Sequence, residues 1–222
     1  MQTLRAQEIV RNLGVIRRNV ALGQPLATCL SDLSIDYPTF QRWARVYDGR
    51  RLDSRTGDIQ PWYTHPALDE IQGWDLRDQV ILEWGGGFST FWWARRCDHI
   101  FTIEADILWY RLILAQAARL ALKNVTAVYR PLPPHQESFC DLPAGCVPNI
   151  VVIDGPRRLD CLRRALSLPH PFTLIFDNWQ QEGAFMSNEA EYMMAPYRGV
   201  TYVQPDQVLR NNPWQTAIWD LI

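Results

Sequence analysis

The sequence predicts an α/β fold: a mostly parallel, doubly wound sheet with helices on both faces, preceded by a small all-α domain. Three observations lead there. From residue 79 onward, apolar runs of strand length alternate with stretches of helical periodicity, as βαβ units do. The runs are almost continuously apolar, as in strands buried on both faces. Residues 1–47 carry helical periodicity and no strand pattern.

The helical part comes first. Ile9, Leu13, Ile16 and Val20 recur at steps of three and four and share one face. Gly23 and Pro25 end that helix. Residues 26–33 form a second helix, Ser34-Ile35-Asp36 a turn, and residues 37–47 a third helix with Phe40, Trp43 and Val46 inward. Short helix, tight turn and longer helix make a helix-turn-helix arrangement. Residues 25–43 resemble the helix-turn-helix segments of transposases and phage regulators. That resemblance implies a DNA-reading helix presenting Tyr37, Thr39, Gln41 and Arg42 to the major groove. The other reading is a helical bundle that packs or mediates assembly, and Asp36 at the head of the third helix would repel phosphate. Residues 48–61 are polar, carry Gly49 and Gly57 and close on Pro61, so they read as a linker. The domains are then 1–47, helical, and 62–222, α/β.

In the α/β part the strands are 79–84, 99–104, 124–129, 149–154 and 172–176, with helices over 88–96, 107–122 and 157–168. Residues 199–203 and 215–219 are two further strands. Seven strands ending in a hairpin fit the doubly wound variant whose last hairpin inserts an antiparallel strand, that of the methyltransferases.

Composition narrows the function. No apolar stretch approaches the ~20 residues that span a bilayer, and residues 1–8 have no apolar core of the signal-peptide kind, so a cytoplasmic location is expected. Five cysteines without a CxxC pair point to buried thiols rather than zinc or disulfides. The net charge of −2 argues against a strong overall pull toward nucleic acid, although residues 1–55 are locally basic. Lys123 is the only lysine, so catalysis by a lysine amine is not expected.

The chemistry collects at strand ends, where open α/β sheets bind ligands. The first strand ends in Glu83, and Gly85, Gly86 and Gly87 follow. Glycine permits close backbone approach, and Ser89 and Thr90 open a helix whose N–H groups face a ligand. Glu104 ends the second strand, where a carboxylate can accept both hydroxyls of a ribose. Dinucleotide sites share this spacing. Glu83 favours S-adenosylmethionine instead, since a carboxylate suits its cationic amino group and would repel a pyrophosphate.

The run Trp62-Tyr63-Thr64, followed by Glu83-Trp84-Gly85-Gly86-Gly87-Phe88-Ser89-Thr90 and Trp92-Trp93-Ala94, resembles bacterial class I methyltransferase-like proteins. The similarity continues through Val151-Val152-Ile153-Asp154-Gly155 and Ile175-Phe176-Asp177-Asn178. It implies that Trp62, Tyr63 and Thr64 line the cofactor pocket and that Asp154 belongs to it. Asp154 after the fourth strand and Asp177-Asn178 after the fifth are similar to the magnesium ligands of catechol O-methyltransferase relatives. Carried across, Asp154, Asp177 and Asn178 are candidates for Mg²⁺. Those relatives use a lysine base just after the first Asp, and Arg157 stands there, which is a poor base. In a metal-free version Asp154 positions the acceptor or acts as base, Arg157 or Arg158 orients it, and Asp177 completes the catalytic set. Trp179 is a candidate platform for a planar acceptor. His65, His135 and His170 read as loop residues, with His135 able to face the pocket.

The expected function is S-adenosylmethionine-dependent methyl transfer to an oxygen of a small-molecule or glycan-type acceptor. No Asp/Asn-Pro-Pro-aromatic motif or Pro-Cys nucleophile supports base methylation. The rivals are a DNA-binding or assembly protein that uses the methyltransferase fold to sense cofactor, and a scaffold that has lost the chemistry.

Overall fold

A computed structural model describes residues 2–47, 51–53, 57–132, 137–179, 187–204 and 214–221. They fall into two compact units that meet between Trp62 and Tyr63 in the sequence.

The first unit contains α1 (Gln2–Ala21), α2 (Leu26–Asp32) and α3 (Tyr37–Tyr47). Its core joins Ile9, Leu13 and Ile16 of α1 to Cys29 and Leu30 of α2 and to Phe40 and Ala44 of α3. Val20, expected on the same stripe, is 40% exposed, because it falls in the last turn of α1 beyond the final core position, Ile16. Asp36 has a local reason to be acidic. Its Oδ1 accepts the backbone N–H of Thr39 at 2.7 Å and so caps α3. That bond holds its carboxyl below the ordinary value.

The described part of the expected linker is folded. Leu52 and Ile59 form an antiparallel bridge, the N–H of Gln60 donates to the carbonyl of Arg51 at 2.8 Å, and Asp53, Ile59 and Gln60 are buried. The Gln7 amide donates to the carbonyl of Gly57 at 2.6 Å and ties this turn to α1. Its polar residues thus serve a hairpin-like turn rather than an open connection.

The second unit holds β1 (Val80–Trp84), β2 (His99–Glu104), β3 (Val125–Tyr129), β4 (Ile150–Ile153), β5 (Phe172–Asp177), β6 (Arg198–Gln204) and β7 (Trp214–Leu221). They form one sheet in the order β3-β2-β1-β4-β5-β7-β6. β1 to β5 are parallel, and β7 lies antiparallel between β5 and β6. The helices are α4 (His65–Ile71), α5 (Phe88–Ala94), α6 (Ile107–Arg119), α7 (Arg158–Leu166) and α8 (Ser187–Met194), with a 3-10 turn at Glu137–Cys140.

Successive strand residues point to opposite faces, and the core divides accordingly. Leu82, Trp84, Val151, Ile153, Leu174 and Phe176 pack with α7 and α8. Ile81, Ile100, Ile150, Val152 and Ile175 pack with α4 and α5, including the fully buried Trp92 and Trp93. Burial of each such side chain stabilises by about 1.5–3 kcal/mol. All five cysteines are buried thiols. Among the described residues no helix is long and apolar enough to cross a membrane.

His65, expected in a loop, opens α4 instead. Pro66 is tolerated there because the first turn of a helix needs no N–H from it. α8 and the 3-10 turn were likewise not expected from the sequence.

Candidate active site

The strand order reverses between β1 and β4, so the connections leaving these strands run to opposite sides and a crevice opens at their C-terminal ends. A cavity of about 400 Å³ lies there, lined by Gly85, Gly86, Glu104, Trp109, Asp154, Gly155, Pro156 and Arg158. This is within the usual range for small-molecule sites.

Two glycines make the crevice. Gly85 has φ +94, and a Cβ on it would lie 2.4 Å from the Cα of Gly155. Conversely, a Cβ on Gly155 would lie 2.9 Å from the Cα of Gly85. The backbones leaving β1 and β4 therefore touch, and neither position tolerates a side chain. Gly87 is different: its φ is 177, which any residue adopts.

Glu83 is fully buried. Its Oε2 accepts the hydroxyls of Thr90 at 2.5 Å and Thr102 at 3.0 Å, while Oε1 has no hydrogen-bond partner among the described residues. Burial pushes its pKa up to about 7 against the hydroxyls of Ser89, Thr90 and Thr102, and the Asp154 charge raises it further. Thr90 Oγ1 in turn accepts the N–H of Gly87 at 3.1 Å. Glu83, Ser89 and Thr90 are thus inside the wall, bracing the glycine loop, and none is on the cavity surface.

Glu104 is on that surface. It is 7% exposed, and its Oε1 accepts the N–H of Asp106 at 2.7 Å. Burial raises its pKa against donation from the backbone N–H groups of Asp106, Ala105 and Gly86. Asp106 caps α6 through the N–H groups of Leu108 and Trp109. The first turn of α6 thereby places Trp109 on the cavity wall, edge-on to Phe88 at 6.0 Å. Trp109 was not anticipated from the sequence.

Tyr63 and Thr64 are fully buried and do not line the cavity. Trp93 Nε1 donates to the Tyr63 hydroxyl at 3.3 Å. The N–H of Thr64 donates to Thr216 Oγ1 at 2.9 Å, and the Thr216 hydroxyl donates to Asp177 Oδ1 at 2.6 Å. Trp62 belongs to the other unit.

Asp177 is 1% exposed. Burial first, and then the Asp154 charge, hold its pKa well above the ordinary value, with Thr216 and Arg158 opposing. Asp154 remains on the wall, paired with Arg158 at 3.1 Å. The two adjacent arginines diverge. Arg157 takes a left-handed backbone (φ 57) as the cap of α7 and pairs with Asp160 at 2.5 Å, whereas Arg158 turns to the cavity. Trp179 packs edge-on against Phe176 and Trp219, so it joins the core. His170 lies in a bend before β5, and His135 lies outside the described residues.

Asp154, Asp177 and Asn178 do not fit a divalent cation as they stand. Arg158 Nη2 donates to the carbonyl and Oδ1 of Asp154, at 2.9 and 3.1 Å, and approaches Asn178 Oδ1 at 3.4 Å. Asp177 Oδ1 takes the Thr216 hydroxyl. A guanidinium thus sits among the oxygens that a metal would need.

No family model and no curated protein matches the sequence. Solved structures do match. An O-methyltransferase from Streptomyces achromogenes involved in tomaymycin synthesis, in complex with S-adenosylmethionine, is 18% identical, with a TM-score of 0.54 over 70% of this chain and 76% of that one. A precorrin-6y C5,15-methyltransferase from Geobacter metallireducens is 15% identical, with a TM-score of 0.50 over 69% and 85% of the two chains. TYW2 from M. jannaschii, in complex with S-adenosylmethionine, is 11% identical, with a TM-score of 0.50 over 78% and 85%. The second unit therefore has the Rossmann-like, seven-stranded fold of class I methyltransferases.

Proposed function

We propose that this chain is an S-adenosylmethionine-dependent methyltransferase acting on an oxygen of a small-molecule or glycan-type acceptor. The observation that carries the reading is the cavity where β1 and β4 part, whose wall joins the bare backbone of Gly85 and Gly86 to the carboxylates of Glu104 and Asp154. In this reading the glycine backbone admits the methionine part and Glu104 accepts the ribose hydroxyls. The Glu83 carboxylate behind the loop supplies the negative potential that suits an ammonium, and Asp154 orients the acceptor. Methyl transfer would join the acceptor oxygen to the methyl carbon as the C–S bond breaks, with the sulfonium leaving as a neutral thioether and the hydroxyl proton passing to the Asp154 carboxylate or to water. The protein supplies chiefly proximity and orientation.

Calorimetric titration with S-adenosylmethionine and with its homocysteine product tests this. Both are expected to bind. Glu104→Ala is expected to weaken binding by at least tenfold, since a hydrogen bond to a charged group contributes about 1.5–3 kcal/mol. No heat and no thermal shift at millimolar cofactor would sink the reading.

A second reading concerns the helical unit: it contacts DNA through α3. Tyr37, Gln41 and Arg42 are exposed on that helix, which supports it, while Thr39 is half-buried with its hydroxyl taking Arg42 Nη2 at 3.3 Å. A gel shift of the full chain on duplex DNA should then weaken steeply with salt, and Arg42→Ala should reduce it several-fold. A chain that gives no shift at low salt leaves only a packing role for this unit.

A further inference from the structure

We propose that Arg158 is the resident cation of the acceptor half of the cavity, filling the place of a divalent metal so that the acceptor is bound without one. The proposal rests on the methyltransferase reading for the word acceptor, but its geometry stands apart from that reading.

Three oxygens from two strand ends converge on one nitrogen. Nη2 of Arg158 faces the Asp154 carbonyl at 2.9 Å, Asp154 Oδ1 at 3.1 Å and Asn178 Oδ1 at 3.4 Å. A carboxylate, an amide carbonyl and a backbone carbonyl are the donors that hard cations take. The Asp177 carboxyl behind them is also electrostatically linked to Arg158. The sequence makes this arrangement locally. Asn178 adopts a left-handed backbone with φ 55. Arg157 caps α7 with φ 57, and Arg158 then follows as the first helical residue, four positions after Asp154 (i,i+4).

Arg158 is 13% exposed and lines the cavity, so its charge is presented to a ligand rather than spent on the surface. A metal ion entering the same oxygens would have to displace it or sit beside a like charge. Arg158 therefore holds Asp154 and Asn178 in place and also offers the acceptor oxygen a positive charge.

Titration of the full chain with Mn²⁺, followed by electron paramagnetic resonance, tests this without any acceptor. The parent protein is expected to show no saturable site below millimolar Mn²⁺. Arg158→Ala, which vacates the oxygens, is expected to gain one site at least tenfold tighter, and Arg158→Lys to behave as the parent. The double variant Arg158→Ala with Asp154→Asn should lose the gained site. Arg158→Met gives the same readout with more of the volume kept, and circular dichroism checks that each variant is folded. A parent that binds one Mn²⁺ as tightly as Arg158→Ala overturns the proposal, as does a folded Arg158→Ala or Arg158→Met that gains no site. Neither result depends on S-adenosylmethionine binding, so failure of the cofactor reading is seen separately.

Discussion

Gly155→Ala is expected to lower the stability of the protein by about 3 kcal/mol, the upper end of overpacking penalties, and, on the proposed function, to abolish binding of S-adenosylmethionine. The reason is the nature of what the new Cβ would meet. Its nearest neighbours are the Cα and N of Gly85 at 2.9 Å and the carbonyl carbon of Trp84 at 3.0 Å. All are backbone atoms, so no side chain can swing aside, and β1 and β4 must part at their C-terminal ends. Those ends are the cavity wall. Gly85→Ala should be at least as severe, because its Cβ would meet Gly155 backbone atoms at 2.4 Å and its φ of +94 adds strain. Gly87→Ala is the control. Nothing lies within 4 Å of its Cβ, and its extended backbone suits alanine, so stability should change by less than about 1 kcal/mol. Urea unfolding gives the stabilities, with a fall in Tm of roughly 10 °C expected for Gly155→Ala. Titration with S-adenosylhomocysteine gives the binding. A Gly155→Ala protein with parental stability and affinity would show that the two loops do not need to touch.

These glycines show what could be read in advance. Gly85 and Gly86 stood out because they follow a buried strand, and Glu104 because it ends the next one. Both signals are local. Gly155 carries as much of the cavity as Gly85, but its need for a missing side chain is set by a residue 70 positions earlier, which no local pattern exposes. Arg157 and Arg158 are chemically identical neighbours. Only the left-handed cap at Arg157 decides which of them turns toward Asp154. Trp109 looked like one more apolar residue of an amphipathic helix, and it is the Asp106 cap that fixes where that helix begins and hence where the ring points. The seven strands were legible because near-continuous apolar runs leave few alternatives. Helix α4 was not, since His65-Pro66 reads equally well as a turn. Tyr63 and Thr64 show the limit of a motif. The resemblance puts them beside the site, and here they are buried, Thr64 against β7 through Thr216 and Tyr63 against α5 through Trp93. Asp177 was read as a ligand at a strand end, and it is enclosed by the same threonine.

The second large effect is a dependence of stability on pH that originates in Glu83. Its pKa in the folded protein is about 7 against an ordinary 4.5. The fold therefore favours the protonated acid. This contribution is fully present below about pH 4.5 and is lost as the pH rises through about 7. The separation corresponds to about 3 kcal/mol, taking 1.36 kcal/mol per unit. Asp177 and Glu104, both raised by burial, contribute in the same direction, so the whole-protein curve alone does not isolate Glu83. Glu83→Gln does. The amide cannot ionise, and it leaves an N–H₂ group where Oε1 has no partner among the described residues, which costs about 1–3 kcal/mol at every pH. The parent should therefore be clearly more stable than Glu83→Gln at pH 5. By pH 8 that advantage should shrink by about 2.5 kcal/mol and can reverse. Denaturant unfolding of both proteins from pH 5 to 8 measures the difference, and a difference that does not change with pH would refute the assignment. The same ionisation bears on binding. On the proposed function, the cationic amino group of S-adenosylmethionine beyond the glycine loop stabilises the charged carboxylate, so its binding expels the proton below pH 7. Affinity for S-adenosylmethionine should rise between pH 6 and 8 in the parent and stay flat in Glu83→Gln. Parent and variant affinities that rise together would locate the linked proton on another group.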